Sequence, residues 1–440
     1  MTPNRPYRSL RTAVVVLMLS FLGLEASVPA MFRGDAAHTG IYASEPPSLT
    51  ATAWTFRTGG KVLSSPAVSG GVLFVGSADH RMYALDAKTG ELKWRYQAAG
   101  AIASSPAVVA ERVIFSSLDG LIQAVDATTG KSVWTFRTEG ERRFTAPGIH
   151  GAQPRTELMP DPYDVFLSSP AVVDGLVFVG SGDHHVYALD AVTGALRWKR
   201  KTGGVVHATP AVSGGRVFIG SFDRTMYALD AATGTVQWTF LTGEDPEFHN
   251  QVGIASSAAV ADGRVFFGCR DGHFYALDAA KGTLLWKHDN HKGWVIASPA
   301  AQGGRVHFPT SDGQRFKALE AATGKLIYDR PMKAVSFSSP AIAGKRILFG
   351  TSDGWLHLVD RDTGATVADF QTEGAKQNGK KYLDAEGRMI GSALYPDGTL
   401  DGMVIGLDRM FSLGSILSSP VVAEGIVYVG STDGTIYALR

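Results

Sequence analysis

Short apolar segments alternate with polar turns along most of the chain, and this pattern repeats after about 40 residues. One unit opens at 64–68 with Ser-Ser-Pro-Ala-Val, and two apolar segments follow it at 72–75 and 82–85. A turn at 86–90 and a segment that contains Trp94 complete the unit. The aspartate of such a turn accepts hydrogen bonds from backbone N–H groups, and its glycine readily adopts a positive φ. Each unit therefore predicts four short β-strands.

The opening motif occurs eight times, which makes internal repetition the dominant signal in the sequence. Helical repeats of similar length need apolar residues at helical spacing, whereas these units show short apolar runs bounded by turns. Four strands in each unit are typical of the blade of a β-propeller. The later copies of the motif are Ser104-Ser105-Pro106, Ser168-Ser169-Pro170, Ala208-Thr209-Pro210, Ser256-Ser257-Ala258, Ala297-Ser298-Pro299, Ser338-Ser339-Pro340 and Ser418-Ser419-Pro420.

The two ends of the chain are predicted to share one blade. Trp54 precedes the first Ser-Ser-Pro motif at the spacing found in later repeats, yet no repeat stands before it. The last repeat stops at Arg440, before its turn and its Trp-containing strand. We therefore predict an all-β fold: an eight-bladed β-propeller of four-stranded antiparallel blades, with the last blade closed by the N-terminal strand. Such closure removes two exposed sheet edges.

The spacing of the repeats also predicts how the chain is divided. We assign 1–30 to a signal peptide, 31–50 to an N-terminal leader, and 51–440 to a single propeller with loop insertions near 139–166 and 372–414. A smaller insertion precedes the Ser256-Ser257-Ala258 copy of the motif. All three insertions follow the fourth strand of one unit, the strand with the Trp position, and precede the opening motif of the next unit. Because the strands alternate in direction, these junctions share one rim of the disc. Loops on a rigid scaffold commonly carry function, so we expect the site on this rim.

The N-terminus has the pattern of an export signal. Arg5, Arg8 and Arg11 precede a short apolar segment at 12–24, and small residues at 27–30 offer a cleavage site. A membrane anchor is the alternative, but this segment is shorter than the ~20 residues that span a bilayer. No cysteine follows it to carry a lipid. We therefore predict a periplasmic or secreted protein without a lipid anchor or a transmembrane segment in the mature chain.

Composition and charge narrow the function classes. Glycine contributes 51 of 440 residues, which indicates many tight turns. Lys and Arg total 42 against 41 Asp and Glu, so no basic excess points to nucleic acid as a partner. The one cysteine, Cys269, excludes an intrachain disulfide and a cysteine-based zinc site, and we expect it to be a buried small apolar residue. No metal site is predicted from the remaining residues.

A recurring aromatic position in the fourth strand predicts packing between neighbouring blades. A residue repeated once per blade is explained by the architecture, so we assign these side chains a structural docking role and no cofactor role. The tryptophans in this register are Trp54, Trp94, Trp134, Trp198, Trp238 and Trp286.

The pattern Ala-x-Asp-x-x-x-Gly-x-x-x-Trp, together with Ser-Ser-Pro-Ala-Val, resembles the pyrroloquinoline quinone (PQQ) repeat over essentially all of 51–440. The segment 31–40 also resembles the leader of many bacterial PQQ-repeat propellers. The resemblance implies a propeller and two possible activities. Quinoprotein alcohol dehydrogenases of this family bind PQQ and calcium, whereas propellers such as outer-membrane-protein assembly factor B bind partner proteins.

The sequence departs from both groups. Many of the dehydrogenases carry a disulfide between adjacent cysteines, which the lone Cys269 cannot form, and no Glu/Asn/Asp calcium set is matched here. The assembly factor has a lipidated cysteine that this chain lacks, and it does not have the two large insertions. We therefore predict a non-catalytic, monomeric scaffold that binds an envelope protein or a small ligand on its loop face, with no cofactor. The alternative is a PQQ- and calcium-dependent oxidoreductase.

The candidate binding residues lie in or beside the insertions. Arginines suit carboxylate or phosphate groups, and histidines can serve as ligands or proton carriers. A histidine at a rim turn can equally be bonded to that turn, and Trp294 can either plug the channel or form the floor of a planar ligand's site. In the insertion near 372–414, which is the third along the chain, the Tyr-Pro-Asp-Gly sequence at 395–398 predicts a hairpin turn. The candidates are Arg142, Arg143, His150, His184, His249, Asn250, His291 and Trp294.

Overall fold

Each repeat folds into a four-stranded antiparallel sheet whose strands neighbour one another in chain order. The structure, a computed structural model, describes residues 30–245, 252–291 and 293–440. The sheets form eight blades, so the predicted propeller is confirmed. The second strand of each blade is almost entirely buried, because both of its faces pack against neighbouring blades.

The first half of the chain contains a leader strand, a closing strand, four blades and the first insertion. The leader strand is β1 (Ile41–Tyr42) and the closing strand is β2 (Thr52–Arg57). Blades 1 and 2 consist of β3 (Ala67–Ser69), β4 (Val72–Ser77), β5 (Arg81–Asp86), β6 (Leu92–Gln97), β7 (Ala107–Val109), β8 (Arg112–Ser117), β9 (Leu121–Asp126) and β10 (Ser132–Arg137). The first insertion has β11 (Thr145–Pro147), a 3-10 turn (Ile149–Gly151) and β12 (Leu158–Pro160). Blades 3 and 4 consist of β13 (Ala171–Val173), β14 (Leu176–Ser181), β15 (His185–Asp190), β16 (Leu196–Lys201), β17 (Ala211–Ser213), β18 (Arg216–Gly220), β19 (Thr225–Asp230) and β20 (Val236–Leu241).

The second half contains the remaining blades and a helical insertion. Blades 5 and 6 consist of β21 (Ala259–Ala261), β22 (Arg264–Gly268), β23 (His273–Asp278), β24 (Leu284–Asp289), β25 (Ala300–Gln302), β26 (Arg305–Pro309), β27 (Arg315–Glu320) and β28 (Leu326–Pro331). Blade 7 has β29 (Ala341–Ala343), β30 (Arg346–Gly350), β31 (Trp355–Asp360) and β32 (Thr366–Gln371). The third insertion forms α1 (Glu373–Tyr382), α2 (Gly391–Leu394) and α3 (Leu400–Phe411). Blade 8 has β33 (Val421–Ala423), β34 (Ile426–Gly430) and β35 (Thr435–Leu439).

The N-terminal strand closes the ring, as the repeat spacing predicts. Strand β2 pairs antiparallel with β35, so that Thr52 lies opposite Leu439 and Arg57 lies opposite Thr435. Blade 8 therefore takes its three inner strands from the end of the chain and its outer strand from the beginning.

The second residue of each Ser-Ser-Pro motif forms a belt of hydroxyl groups around the central axis. In blade 1, the backbone N–H of Ser65 donates to Oγ of Ser105 in blade 2 at 3.0 Å. The same bond joins every later pair of blades, at 2.8–3.2 Å, and returns to the start. Around the ring, the belt residues are Ser65, Ser105, Ser169, Thr209, Ser257, Ser298, Ser339 and Ser419.

The tryptophan of the outer strand makes one specific contact across the blade boundary. Trp54 Nε1 donates to the carbonyl oxygen of Ala87 at 3.0 Å. Its ring also covers Gly90 (φ +77°), where a Cβ would come within 2.7 Å of the indole. This contact is the one that the predicted docking role requires. It recurs at 2.9–3.2 Å between Trp94 and Ala127, Trp134 and Ala191, Trp198 and Ala231, Trp238 and Ala279, and Trp286 and Ala321.

The N-terminal leader lines the opposite end of the channel, which the sequence did not reveal. Its carbonyl groups accept hydrogen bonds from the first strands of five blades, from Val108 to Ala30, Val212 to Ala36, Val260 to Ala37, Ala301 to Thr39 and Ile342 to Gly40. Arg33 is 1% exposed and donates to the carbonyl oxygens of Pro299 and Pro340. A Cβ on Gly40 would lie 2.2 Å from this guanidinium, so glycine is needed there.

The insertions project from one rim, between the outer strand of one blade and the first strand of the next. The third insertion is helical, so the predicted hairpin turn at 395–398 is wrong: these residues connect α2 to α3. Thr372 and Thr399 cap the two longer helices by accepting hydrogen bonds from Ala375 N and Gly402 N. Within the described ranges, no helix is long and apolar enough to span a membrane. Residues 1–29, which contain nearly all of the predicted signal peptide, lie outside the described residues.

Candidate functional site

The first and third insertions meet over the mouth of the channel. The hydroxyl groups of Tyr163 and Tyr395 share a hydrogen bond of 2.7 Å, although 232 residues separate them. A parallel β-bridge between Gln153 and Thr399 adds a backbone contact. The two insertions are therefore one continuous surface on this rim of the disc.

Between them lies a cavity of about 450 Å³, which we call the mouth pocket. Its volume is within the range of roughly 300–1,000 Å³ that is typical of ligand sites. Most of its surface is apolar, from aromatic side chains and three methionines. The residues that line it are His150, Tyr163, Trp294, Ile296, Ser311, Asp312, Val335, Phe337, Met389, Tyr395, Asp397, Met403 and Met410.

Trp294 forms one wall of the mouth pocket. Its side chain is buried, and its Nε1 donates a hydrogen bond of 2.5 Å to Oδ2 of Asp245. The ring centroid lies 5.6 Å from that of His150, and the guanidinium of Arg270 lies 5.2 Å from the ring. Trp294 thus separates the pocket from the buried charges near the axis. Its predicted role, as a plug of the channel or as the floor of a ligand site, stays a prediction.

His150 is anchored by a buried ion network. Its Nε2 lies 2.8 Å from Oδ1 of Asp161, and its backbone has φ +51°, a region that non-glycine residues seldom occupy. The Arg270 guanidinium lies 2.8 Å from the other carboxylate oxygen of Asp161. Burial alone would raise the pKa of Asp161, but Arg270 and His150 outweigh it and hold the pKa well below its usual range. This network fixes the first insertion against blade 5.

A second buried cluster lies deeper along the same insertion. His207 Nδ1 lies 2.6 Å from Asp164 and its Nε2 lies 2.7 Å from Glu141. Burial alone would lower the pKa of His207, but the Asp164 and Glu141 carboxylates outweigh it and raise the pKa to about 10. Gly182 N and Ser181 Oγ also donate to Glu141. The cluster is a charged clamp between the first insertion and blades 3 and 4.

Arg142 and Arg143 lie beside this clamp and not in the mouth pocket. Both are exposed and line a separate cavity of about 230 Å³, together with Asp164 and His207. His184 lies in a nearby rim turn, where burial and the positive charge of Arg142 lower its pKa.

The remaining candidates divide into one displaced residue and two that are not described. The His291 side chain is 90% exposed, and it does not line the mouth pocket. His249 and Asn250 lie outside the described residues, so their predicted roles stay predictions. The structure therefore brings His150 and Trp294 together but places the arginines elsewhere.

Several pocket residues were missed by the sequence interpretation. Asp312 belongs to the blade 6 turn, and two sequence signals could have found it: Lys317 stands at the position of the third-strand tyrosine, and the turn is one residue longer than that of blade 1. Met389, Met403 and Met410 lie in the helical insertion, where apolar residues at helical spacing were the available signal.

Cys269 is buried, and burial raises the pKa of its thiol.

The residues near the axis do not fit the quinone and calcium ion that the sequence resemblance implies. The axial cavity, lined by the hydroxyl belt, measures about 70 Å³, well below the size of a typical ligand site. PQQ carries three carboxylates, yet the larger mouth pocket presents Asp312 and Asp397, and no described lining residue is Lys or Arg. Within the described residues, no three His, Cys, Asp or Glu side chains are grouped for a metal ion.

The solved structures that resemble this chain include a BamB protein and quinoprotein dehydrogenases. BamB from Moraxella catarrhalis has 17% sequence identity and a TM-score of 0.63, with 89% of this chain and 97% of that chain covered. The quinohemoprotein alcohol dehydrogenase from Comamonas testosteroni has 14% identity and a TM-score of 0.67, with 93% and 80% covered. A europium-containing methanol dehydrogenase has 16% identity and a TM-score of 0.67, with 92% and 90% covered. At these identities, the similarity shows the fold alone.

The family assignment comes from the sequence. A comparison with curated protein sequences finds no significant match. The sequence model of the PQQ-repeat family described as outer membrane protein assembly factor BamB matches residues 41–153, 151–269 and 247–390, which together cover most of the chain. The chain therefore belongs to this family of PQQ-like repeat propellers.

Proposed function

We propose that this chain is a non-catalytic propeller of the cell envelope that binds a protein or a small ligand on its insertion face. The observation that carries the proposal is the mouth pocket. It is an open, apolar cavity of about 450 Å³ built largely from residues that the repeat does not require. An apolar cavity with a few polar groups is the usual form of a binding site.

The chemistry around the axis supports binding rather than quinone catalysis. Phe32 from the leader and Phe166 and Phe337 from the rim narrow the axial cavity. The acidic groups of the mouth pocket would repel a ligand that carries several carboxylates. The buried clamps of Asp161 and His207 are already satisfied by neighbouring charges, so they support the insertions instead of presenting a free base.

Location in the cell envelope is the second part of the proposal. The N-terminal sequence has an arginine-rich segment followed by a short apolar segment at 12–24, as export signals do. The relationship to BamB supports the same compartment and a partner protein.

The first test of the proposal measures whether the protein takes up PQQ and oxidises alcohol. The purified chain is incubated with PQQ and calcium chloride, separated from free quinone, and assayed by absorbance and by dye-linked alcohol oxidation. We expect neither stoichiometric uptake nor oxidation. Stoichiometric uptake with alcohol oxidation would overturn the proposal and establish the quinoprotein alternative.

The binding face is tested by site-specific photocrosslinking in the producing cells. Val404 on α3 is 44% exposed beside the mouth pocket, and it receives the photoreactive residue. Lys88, in an exposed turn on the opposite rim, is the matched control. We expect a discrete adduct from position 404 that position 88 does not give. Equal labelling from both positions, or from 88 alone, would contradict the assignment of the insertion face.

A further inference from the structure

The turn aspartate of blade 6 differs from those of most other blades. In five blades, a tyrosine of the third strand donates its hydroxyl to the turn aspartate and holds it in the rim. These pairs are Tyr83 with Asp79, Tyr187 with Asp183, Tyr227 with Asp223, Tyr275 with Asp271, and Tyr437 with Asp433.

In blade 6, lysine replaces this tyrosine. Lys317 lies opposite Phe308, the register position that Tyr83 has opposite Val75 in blade 1. The Nζ of Lys317 donates to Oδ1 of Asn290 at 3.0 Å and makes no ion pair with Asp312. The turn aspartate of blade 6 therefore lacks the tyrosine hydroxyl that donates a hydrogen bond to the turn aspartate in those five blades.

Asp312 instead faces the mouth pocket. It is exposed to that cavity and accepts a hydrogen bond from the neighbouring Ser311 hydroxyl. Partial burial by the pocket walls and the nearby Asp245 carboxylate raise the pKa of Asp312. A cation in the pocket would relieve both effects, because it would neutralise the charge that the walls desolvate.

A second carboxylate, that of Asp397, lies in the third insertion. Its Oδ1 accepts from the backbone N–H of Thr399 at 2.9 Å, which fixes its position at the entry to α3. Among the described residues, neither Asp312 nor Asp397 forms an ion pair. The arginines close to the pocket are engaged, since Arg270 pairs with Asp161 and Arg409 donates to the carbonyl oxygens of Ala393 and Leu394.

The apolar walls of the mouth pocket favour a cation with an apolar body. Aromatic faces attract cations through their quadrupole, and the pocket has Tyr163, Trp294 and Tyr395. Methionine side chains such as Met403 and Met410 adapt to apolar groups of varied shape. The negative carboxylates and the apolar, polarisable walls of the pocket complement an amphipathic cation. The same carboxylates repel an anion.

We propose that the mouth pocket binds a small organic cation, an ammonium group on an apolar body, with Asp312 and Asp397 as its charge partners. This inference rests on the proposed binding function and names the ligand class for the same site. The ammonium group lies against the carboxylates, and the apolar body packs on the aromatic and methionine side chains.

The test uses three ligands with one carbon skeleton: 4-phenylbutylammonium, 4-phenylbutanol and 4-phenylbutyrate. Their affinities for the purified full chain are measured by isothermal titration calorimetry at pH 7. We expect the ammonium to bind about tenfold more tightly than the alcohol, and the butyrate to bind most weakly. In the double variant Asp312→Asn/Asp397→Asn, the preference for ammonium over alcohol should fall by about tenfold, with the affinity for the alcohol unchanged.

Two further variants control for net charge and for location. Glu91→Gln removes one negative charge from an exposed turn on the opposite rim, and it should leave the order and the ratios unchanged. Met403→Trp fills the mouth pocket, and it should abolish binding of both the ammonium and the alcohol. Circular dichroism and thermal unfolding establish that each variant is folded.

Each outcome bears on the inference. Equal affinities for ammonium and alcohol, failure of all three ligands to bind, or an ammonium preference that survives the double Asn variant would overturn it. Ammonium binding that persists in Met403→Trp would also overturn it, because the site would lie elsewhere. These results leave the binding function standing, whereas uptake of PQQ with alcohol oxidation is the result that overturns the proposed function itself.

Discussion

The backbone N–H of Ser419 donates a hydrogen bond of 2.8 Å to Oγ of Ser65, which lies 354 residues earlier in the chain. This bond joins blade 8 to blade 1 and completes the hydroxyl belt. The belt explains why the second position of the repeat motif is Ser or Thr in all eight copies: the side chain must accept a hydrogen bond from the preceding blade.

Loss of the Ser65 hydroxyl should weaken the closure. Ser65→Ala leaves the Ser419 N–H buried without its acceptor, so we expect the free energy of unfolding to fall by about 1–3 kcal/mol in chemical denaturation. Ser132→Ala, at an exposed position of β10, is the control and should change stability by less than about 0.5 kcal/mol. Similar small effects for both variants would show that the belt contributes little.

Two glycines of blade 5 separate the docking contact from backbone strain. Gly282 and Gly263 share φ +71°, but a Cβ on Gly282 would lie 2.4 Å from the Trp238 ring, whereas Gly263 has nothing within 4 Å. Both alanine variants should lose about 1–2 kcal/mol from the left-handed backbone. We expect Gly282→Ala to lose at least about 1–3 kcal/mol more, because Trp238 must move. Equal losses in urea denaturation would argue against a docking role for the tryptophans.

The His207 clamp predicts a specific pH dependence. The folded-state pKa of about 10 exceeds the unfolded value of about 6.5, so the imidazolium stabilises the fold fully below about pH 6.5 and loses that effect as the pH rises through about 10. The difference in unfolding free energy between wild type and His207→Gln should therefore shrink by about 1.4 kcal/mol per pH unit over this window. Ser132→Ala, which removes no titrating group at an exposed site, should show a constant difference. A constant difference for His207→Gln as well would mean that the clamp is not charged.

The Tyr163–Tyr395 bond should couple the two insertions. Tyr163→Phe, Tyr395→Phe and the double variant form a cycle, read out by hydrogen exchange of the α3 amides. We expect a coupling free energy of about 0.5–1.5 kcal/mol, the usual net worth of a hydrogen bond. Additive effects of the two single variants would indicate that the insertions are independent.

The propeller could be predicted from the sequence because the opening motif of the repeat occurs eight times. The turn aspartate, the glycine at positive φ and the outer-strand tryptophan each recur with fixed spacing, so a chance match in one repeat is corrected by the others. Closure followed from the spacing of Trp54 relative to the first motif, and pairing of β2 with β35 confirms it.

The third insertion shows where that reasoning failed. Thr372 and Thr399 are good helix caps, Glu373 and Lys380 lie at the ends that suit the helix dipole, and apolar residues between 400 and 411 have helical spacing. A single copy gives no repetition to strengthen these signals, and the Pro-Asp-Gly turn is as compatible with a helix connection as with a hairpin.

The position of the mouth pocket could be anticipated better than its lining. The insertions indicated the rim on which this pocket lies, and His150 and Trp294, which line it, stood out because they lie outside the repeat. Asp312 did not, although Lys317 at the tyrosine position marks its turn in the sequence. That the turn faces a cavity beside the third insertion is visible only in the tertiary structure.

Blade 8 has a consequence for biosynthesis. Its outer strand β2 precedes all the other blade strands in the sequence, and its partner β35 follows them. Earlier blades can form as the chain emerges, but β2 keeps an unpaired edge until translation has passed Leu439. Closure of the ring therefore follows the synthesis of β35, and a polypeptide truncated before β35 would leave the β2 edge open to pairing with other chains.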